Sequence, residues 1–362
     1  MTFSVKMDDK KIHVDLECTN LKDTLIYCKP KERLVLMRKF GLDGNKGIPL
    51  QRIGKEYNLT RERIRQIESQ ALMRFRRLIV GNTTYMEVLD EAKKILEQNG
   101  GFLEENLLIS KLVNKNLFKF NKQELLLILV SDFDILYLKR NRLIDKSFYL
   151  DNLYEDILTR IALTVEEYFI KRGESQETNE FISYIKGIFS KEYSDISFLS
   201  RDDFYINLFN SLRAVVSFDG RIGLLSFSDV NPRTIKLKLV HILRKMKKPL
   251  HYQDIPERIM KIFPGKNIKV NTVHNELVKN GDIFVNMGLG LYGLKEWGFE
   301  GGLVKDIIQR IMERNNRPMG VKELEKEVLK EKMVSHNTVM INLQKHKDIF
   351  ERVDKGVYKL RK

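Results

Sequence analysis

Residues 31–42 read KERLVLMRKFGL, residues 44–47 read GNKG, and residues 48–78 read IPLQRIGKEYNLTRERIRQIESQALMRFRRL. Leu34, Met37 and Phe40 recur at helical spacing, and Gly41 ends that helix. Leu50, Ile53 and Tyr57 place an apolar face on a second, short helix. Asn58-Leu59-Thr60 follows as a three-residue turn, with Thr60 as the N-cap of a third helix. In that third helix Ile64, Ile67, Ala71, Phe75 and Leu78 form the stripe expected to be buried. Arg61, Glu62, Arg65, Gln66 and Ser69 then share the opposite, outward face. The pattern is that of a helix-turn-helix.

The outward set has the chemistry that base edges require. Arg pairs in bidentate fashion with guanine, Glu accepts from the cytosine amino group and Gln pairs with adenine, while Arg63, Arg74, Arg76 and Arg77 are candidates for phosphate contacts. A charged solvent face on an ordinary amphipathic helix would show the same periodicity, so spacing alone does not decide. The wording of the motif does more. Residues 31–78 resemble the fourth conserved region of housekeeping-type bacterial sigma factors, and Thr60–Glu68 spells the TRERIRQIE recognition helix of that region without a departure. The resemblance implies that Arg61, Glu62, Arg65 and Gln66 read the upstream (minus-35) promoter element. It also implies double-stranded DNA and the RNA polymerase core as partners, the latter met through apolar positions on the polymerase flap. Complete sigma factors carry an earlier aromatic-rich region that melts promoters. Nothing upstream of Lys31 matches it, and the sole tryptophan is Trp297, so this chain is expected not to open a promoter by itself.

Charge is distributed in the same sense. The chain of 362 residues carries 64 Lys plus Arg against 49 Asp plus Glu. Residues 31–80 hold 13 basic and 5 acidic side chains, residues 81–230 hold 18 and 24, and residues 231–362 hold 28 and 15. A polyanion would be drawn to the two basic segments and repelled by the middle. A hydrophobic fraction of 43% excludes a disordered or fibrous chain. The longest aliphatic run, Leu125–Val130, is too short to cross a bilayer and the N-terminus shows no signal stretch, so a cytoplasmic protein without membrane contact is expected. Cys18 and Cys28 are expected to be reduced thiols.

Residues 235–297 and 303–362 form an internal repeat. At an offset of 66, Asn271-Thr272-Val273 answers Asn337-Thr338-Val339, Asp282-Ile283-Phe284 answers Asp348-Ile349-Phe350, and Gly290-Leu291-Tyr292 answers Gly356-Val357-Tyr358. Each unit reads as three helices and two strands around a glycine turn, the order of a winged helix. The opening helix KLKLVHILRKMKKPLHYQDI, the NTVHNEL helix and the strand pair DIFVNMGLGLYGL resemble the HARE-type winged helix of bacterial RNA polymerase delta subunits. A similar order recurs over 86–150, whose hairpin carries Arg140-Asn141 at its tip, and over 153–229, whose hairpin turns at Asp219-Gly220. A second basic patch is expected on Lys236, Lys238, Arg244, Lys245, Lys247 and Lys248.

Gly288-Leu289-Gly290-Leu291-Tyr292-Gly293 is formally a GxGxxG, but LKEWGFEGG after it is unfit to open the helix that a dinucleotide phosphate needs, so it reads as a wing turn. The six histidines make no HxxxH or HExxH pair, and no GxSxG or Walker loop occurs. The expectation is a mainly α chain. An N-terminal extension (1–30) precedes the helix-turn-helix module (31–80), and a string of winged-helix modules (86–150, 153–229, 235–297, 303–362) follows. The function expected is DNA-binding transcription with a sigma-like reader, not catalysis, with no metal, cofactor or small-molecule substrate. Two alternatives stand beside it: a protein-interaction module that occupies the polymerase flap and competes with sigma factors, and the specificity component of a restriction or modification system.

Overall fold

A computed structural model describes residues 21–115, 119–150, 155–265, 267–298 and 302–361. The expected N-terminal extension lies outside these residues as far as residue 20, and Cys18 and His13 with it. The chain divides into two compact units, Met1–Ser226 and Phe227–Lys362.

The first unit opens with α1 (Leu21–Leu25), α2 (Pro30–Phe40), α3 (Leu50–Glu56) and α4 (Arg61–Ile79). Helix α1 falls within the stretch expected as an N-terminal extension, and there Leu21 and Leu25 are buried and the Thr24 hydroxyl lies 2.7 Å from that of Tyr85. Gly41 caps α2 in the left-handed conformation at φ 72°, as expected of that residue. The buried face of α2 differs from the expected stripe. Val35, Leu36 and Phe40 are buried while Leu34 and Met37 are only half-buried, because α2 packs against α7 as well as α3 and α4 and its apolar sector is turned toward both. Tyr57, assigned to the α3 face, is instead 42% exposed at the helix end.

Two blocks follow in the same unit. The first is α5 (Thr83–Gln98), β1 (Phe102–Glu104), α6 (Glu105–Asn114), α7 (Lys122–Val130), β2 (Ile135–Leu138) and β3 (Ser147–Leu150). The second is α8 (Glu155–Arg172), β4 (Gln176–Glu177), α9 (Thr178–Glu192), α10 (Asp202–Ser211), β5 (Val215–Phe218) and β6 (Arg221–Leu224). The second unit holds two more. They are α11 (Ile235–Met246), β7 (Leu250–His251), α12 (Ile255–Ile262), α13 (Val270–Lys279), β8 (Phe284–Gly288) and β9 (Leu291–Leu294), then α14 (Val304–Asn315), β10 (Met319–Gly320), α15 (Val321–Glu331), α16 (His336–Lys345), β11 (Phe350–Asp354) and β12 (Val357–Leu360). All four blocks share the order helix, strand, helix, helix, strand, strand. Each has an antiparallel three-stranded sheet with the last strand in the centre, in the orders β1-β3-β2, β4-β6-β5, β7-β9-β8 and β10-β12-β11. The fold is mainly helical with small β-wings, as the sequence led one to expect. The first strand of each block, two or three residues long, was not foreseen.

The hairpin turns follow from their residues. Asp219 and Gly220 take φ of 50° and 78° between β5 and β6, the pair of left-handed residues that a two-residue hairpin loop needs. The GxGxxG segment is likewise a wing: Gly288, Leu289 and Gly290 all have positive φ between β8 and β9, and only a short 3-10 turn, Lys295–Trp297, follows.

Within the first unit the two blocks are joined by α10, which packs against β1. Arg201 donates to the carbonyl of Glu97 at 2.7 Å, Asn207 donates to that of Asn99 at 2.8 Å, and Ile144 pairs with Leu212. The Gly100 backbone, at φ 81°, lies directly against the backbone of Phe204.

Candidate nucleic-acid interface

Helix α4 is held by a small apolar core of Val35, Ile53, Ile64 and Ile67, with Ile48, Leu50 and Leu59 packed on it. The turn between α3 and α4 is tight: a Cβ at Gly54 would meet the carbonyl oxygen of Leu59 at 2.6 Å, and Asn58 takes φ 53°. Thr60 is the N-cap, its hydroxyl accepting from the Arg63 amide at 3.1 Å. The buried stripe of α4 is Ile64, Ile67, Ala71 and Phe75 as expected, but it ends on Ile79, with Leu78 only half-buried.

Arg61, Glu62, Arg63, Arg65, Gln66 and Ser69 are all exposed. On the outward face Arg65 grips Glu62 through Nε and Nη2, the latter at 2.7 Å, and Arg63 donates to the Gln66 side chain at 3.1 Å. The hydrogen bond with Arg65 holds the Glu62 carboxyl below its ordinary range and raises Arg65 in turn. Both groups are therefore charged at neutral pH and paired on an otherwise open surface. Arg77 is exposed further along the helix, and Arg52 and Lys55 are exposed on α3, where the periodicity drew attention only to the apolar side.

Two of the expected phosphate contacts are engaged elsewhere. Arg74 pairs with the buried carboxylate of Glu32 at 2.7 Å, and Glu32 also accepts from the Lys29 amide. Arg76 donates to the carbonyls of Ser131 and Asp132 at the end of α7, the second at 2.9 Å, and stacks on Phe133 with its guanidinium 4.0 Å from the ring centre. Both arginines hold the helix-turn-helix to its neighbours inside the protein. A buried carboxylate without a partner and capped carbonyls without a donor would each be costly, which explains why strong donors stand there.

The second basic patch is also reduced. Arg244 makes a bidentate pair with Glu296, at 2.8 and 2.7 Å, and Lys238 lies over the Phe263 ring at 5.1 Å. Lys247 caps α11 in the left-handed conformation. Lys236 is half-buried, and Lys245, Lys247 and Lys248 are exposed around the end of the helix. Among the described residues no group of three or more His, Cys, Asp or Glu side chains could hold a metal ion, and no helix is long and apolar enough to cross a membrane.

The tight helix-turn-helix of α3 and α4, with TRERIRQIE opening α4, lies in the segment that a comparison with known families matches. Residues 29–77 match the family model of sigma-70, region 4. The RNA polymerase sigma factor SigA of Clostridium acetobutylicum is 53% identical over 47 residues, 13% of this chain and 12% of that protein. SigA of Microcystis aeruginosa is 50% identical over 62 residues, 17% and 14% of the two chains, and the sigma factor RpoD of Neisseria gonorrhoeae is 44% identical over 55 residues, 15% and 9%. The similarity to these relatives thus covers about a tenth to a seventh of their length. The family model ends at residue 77 and so does not bear on the HARE-type resemblance of the second unit.

Proposed function

We propose that this chain is a DNA-binding transcription protein whose region 4-like module reads a minus-35-type promoter element and associates with RNA polymerase. The observation that carries the reading is the face formed by Arg61, Glu62, Arg65, Gln66 and Ser69, exposed on the N-terminal half of α4 while the opposite side of the helix is buried. The N-terminal residues of the second helix are those that meet base edges when this motif lies in a major groove, and the first helix crosses the phosphate backbone. Arg52, Lys55, Arg63 and Arg77 supply the phosphate contacts on this reading, in place of Arg74 and Arg76. The Glu62–Arg65 ion pair brings the two side chains together at the start of α4, where water and DNA can both compete for them.

The test is a binding comparison between a duplex selected by the full-length protein and a scrambled duplex of equal length. Arg65→Ala is expected to weaken the selected duplex by about 1–3 kcal/mol and to change the scrambled one far less. Equal losses on the two duplexes would refute base reading by α4. Co-purification with core RNA polymerase, lost on deletion of residues 31–80, tests the second half of the proposal.

A further inference from the structure

Every block contains a pair of helices that could form a helix-turn-helix, so each has one helix in the position of α4: α7, α10, α13 and α16. Their surfaces differ, and the difference sorts them. In α7, Leu125, Leu127, Ile128 and Leu129 are buried, and its C-terminal carbonyls are covered by Arg76. In α10, Phe204, Tyr205, Leu208 and Phe209 are buried, and the helix is docked on the preceding block through Arg201 and Asn207. Its exposed positions include Asp202, which a phosphate backbone would repel. Helix α16 exposes Met340 and Ile341 in the middle of its open face. On α13 Asn271, Thr272 and Asn275 are exposed together, with Asn271 and Asn275 one turn apart, Lys269 before the helix and Lys279 at its end; α16 keeps only Asn337 of this set, with Ile341 where α13 has Asn275.

We infer that α13 is a second DNA-reading helix, with Asn271, Thr272 and Asn275 meeting base edges in a major groove and Lys269 and Lys279 meeting the flanking phosphates. The buried side of α13, Val273 and Leu277, is fixed in a core with Leu239, Ile255, Phe284 and Tyr292, so the polar side is presented on a rigid support. Asn offers the donor and acceptor pair that matches adenine, and Thr offers a hydroxyl and a methyl that match either a polar edge or a thymine methyl. The field around the helix has the right sign, since residues 235–298 carry 12 Lys plus Arg and 5 Asp plus Glu. The second half of the repeat abuts the turn end of the β8–β9 wing: the Met333 amide donates to the Met287 carbonyl, and Lys332 donates to the Gly302 carbonyl at 2.7 Å. That contact lies toward the C-terminal end of α13, near Leu277 and Val278, and leaves Asn271, Thr272 and Asn275 exposed. This inference rests on the proposal that the chain binds duplex DNA, but not on α4 being a reader.

The experiment is selection of duplexes from a random-sequence pool by the full-length protein, followed by affinity measurement for the selected duplex. Three proteins are compared: wild type, Arg61→Ala/Arg65→Ala, and Asn271→Ala/Asn275→Ala. The expected result is a selected sequence with two blocks of preference, one erased by each double variant, and a roughly tenfold or greater loss of affinity for the block that is erased. A third variant, Asn275→Arg, is expected to move the second block toward guanine rather than erase it, which a folding defect would not do. If the α13 variants leave the selected sequence and the affinity unchanged while the α4 variant alters them, the inference is overturned and the function proposed above stands. If only the α13 variants alter them, that function fails and the inference stands.

Discussion

Replacing Arg76 with alanine separates a structural arginine from a DNA-contacting one. The guanidinium makes two charge-assisted hydrogen bonds to the carbonyls of Ser131 and Asp132 and covers the face of Phe133. A hydrogen bond to a charged group contributes about 1.5–3 kcal/mol, and a partly exposed cation–π contact about 0.5–1 kcal/mol. Water can reach both carbonyls once the side chain is gone, because the pair is only part-buried. The net loss is therefore expected to fall below the sum of these contributions, at about 2–3 kcal/mol. For a unit of this size that corresponds to a fall of roughly 5–10 °C in the melting temperature of the transition that includes residues 21–226. Calorimetry on the full chain measures it, and titration of a random duplex at several salt concentrations is done on the same samples. The expected outcome is a lower melting temperature with an unchanged salt slope. In Arg77→Ala, by contrast, the salt slope should fall by about one with the melting temperature held. A salt slope that falls in Arg76→Ala with no thermal shift would refute the assignment of Arg76 to internal packing.

Three further outcomes follow from the geometry. Thr60→Ala removes the cap of α4 and should cost about 1 kcal/mol in chemical denaturation, whereas Thr60→Ser should cost little. Gly100→Ala must place a Cβ against the Phe204 backbone at a left-handed φ. It is expected to destabilise the first unit by about 2–4 kcal/mol and to raise amide exchange in β1 and α10 together. Burial pushes the Cys28 thiol up to about 11, above the value it has in an unfolded chain. The folded state thus holds that proton more tightly, and its contribution to stability is full below about pH 8.5 and is lost as pH rises toward 11. A thiol reagent at pH 8 should label Cys28 only on the unfolding timescale, and prompt labelling of the native protein would contradict its burial.

Much of the architecture was legible because local signals sufficed. The N-cap at Thr60, the left-handed Gly41, the Asp219-Gly220 turn and the stripe from Ile64 to Phe75 each depend on a few adjacent residues. The first strands of the four blocks escaped because β4, β7 and β10 have two residues each and β1 three, too few for an alternating pattern, and each pairs with a strand far along the chain. Helix α1 escaped for the same reason: its apolar side is defined by α4 and by Tyr85, 61 residues beyond Thr24. The outward residues of α4 were legible as a face, but Arg74 and Arg76 carry the same charge as Arg77 and differ only in what lies opposite them. Glu32 and the carbonyls at the end of α7 are 42 and more than 50 residues distant. No helical periodicity encodes that.

Only Val80, Gly81 and Asn82 separate the end of α4 from the start of α5, and Asn82 is already the cap of the next helix. Arg76 clamps the two sides of this joint, and Phe75 meets Tyr85 edge to face across it. The joint therefore behaves as a splice rather than a tether: the bearing of α4 fixes the bearing of α5 and of the elements packed on it. Adding one residue there would turn the following helix by about 100° and advance it by about 1.5 Å if it continued as helix. Length variation should consequently be rejected at 80–82. An engineer who wishes to attach a new reader to this scaffold must keep that count and may change almost anything on the open face before it.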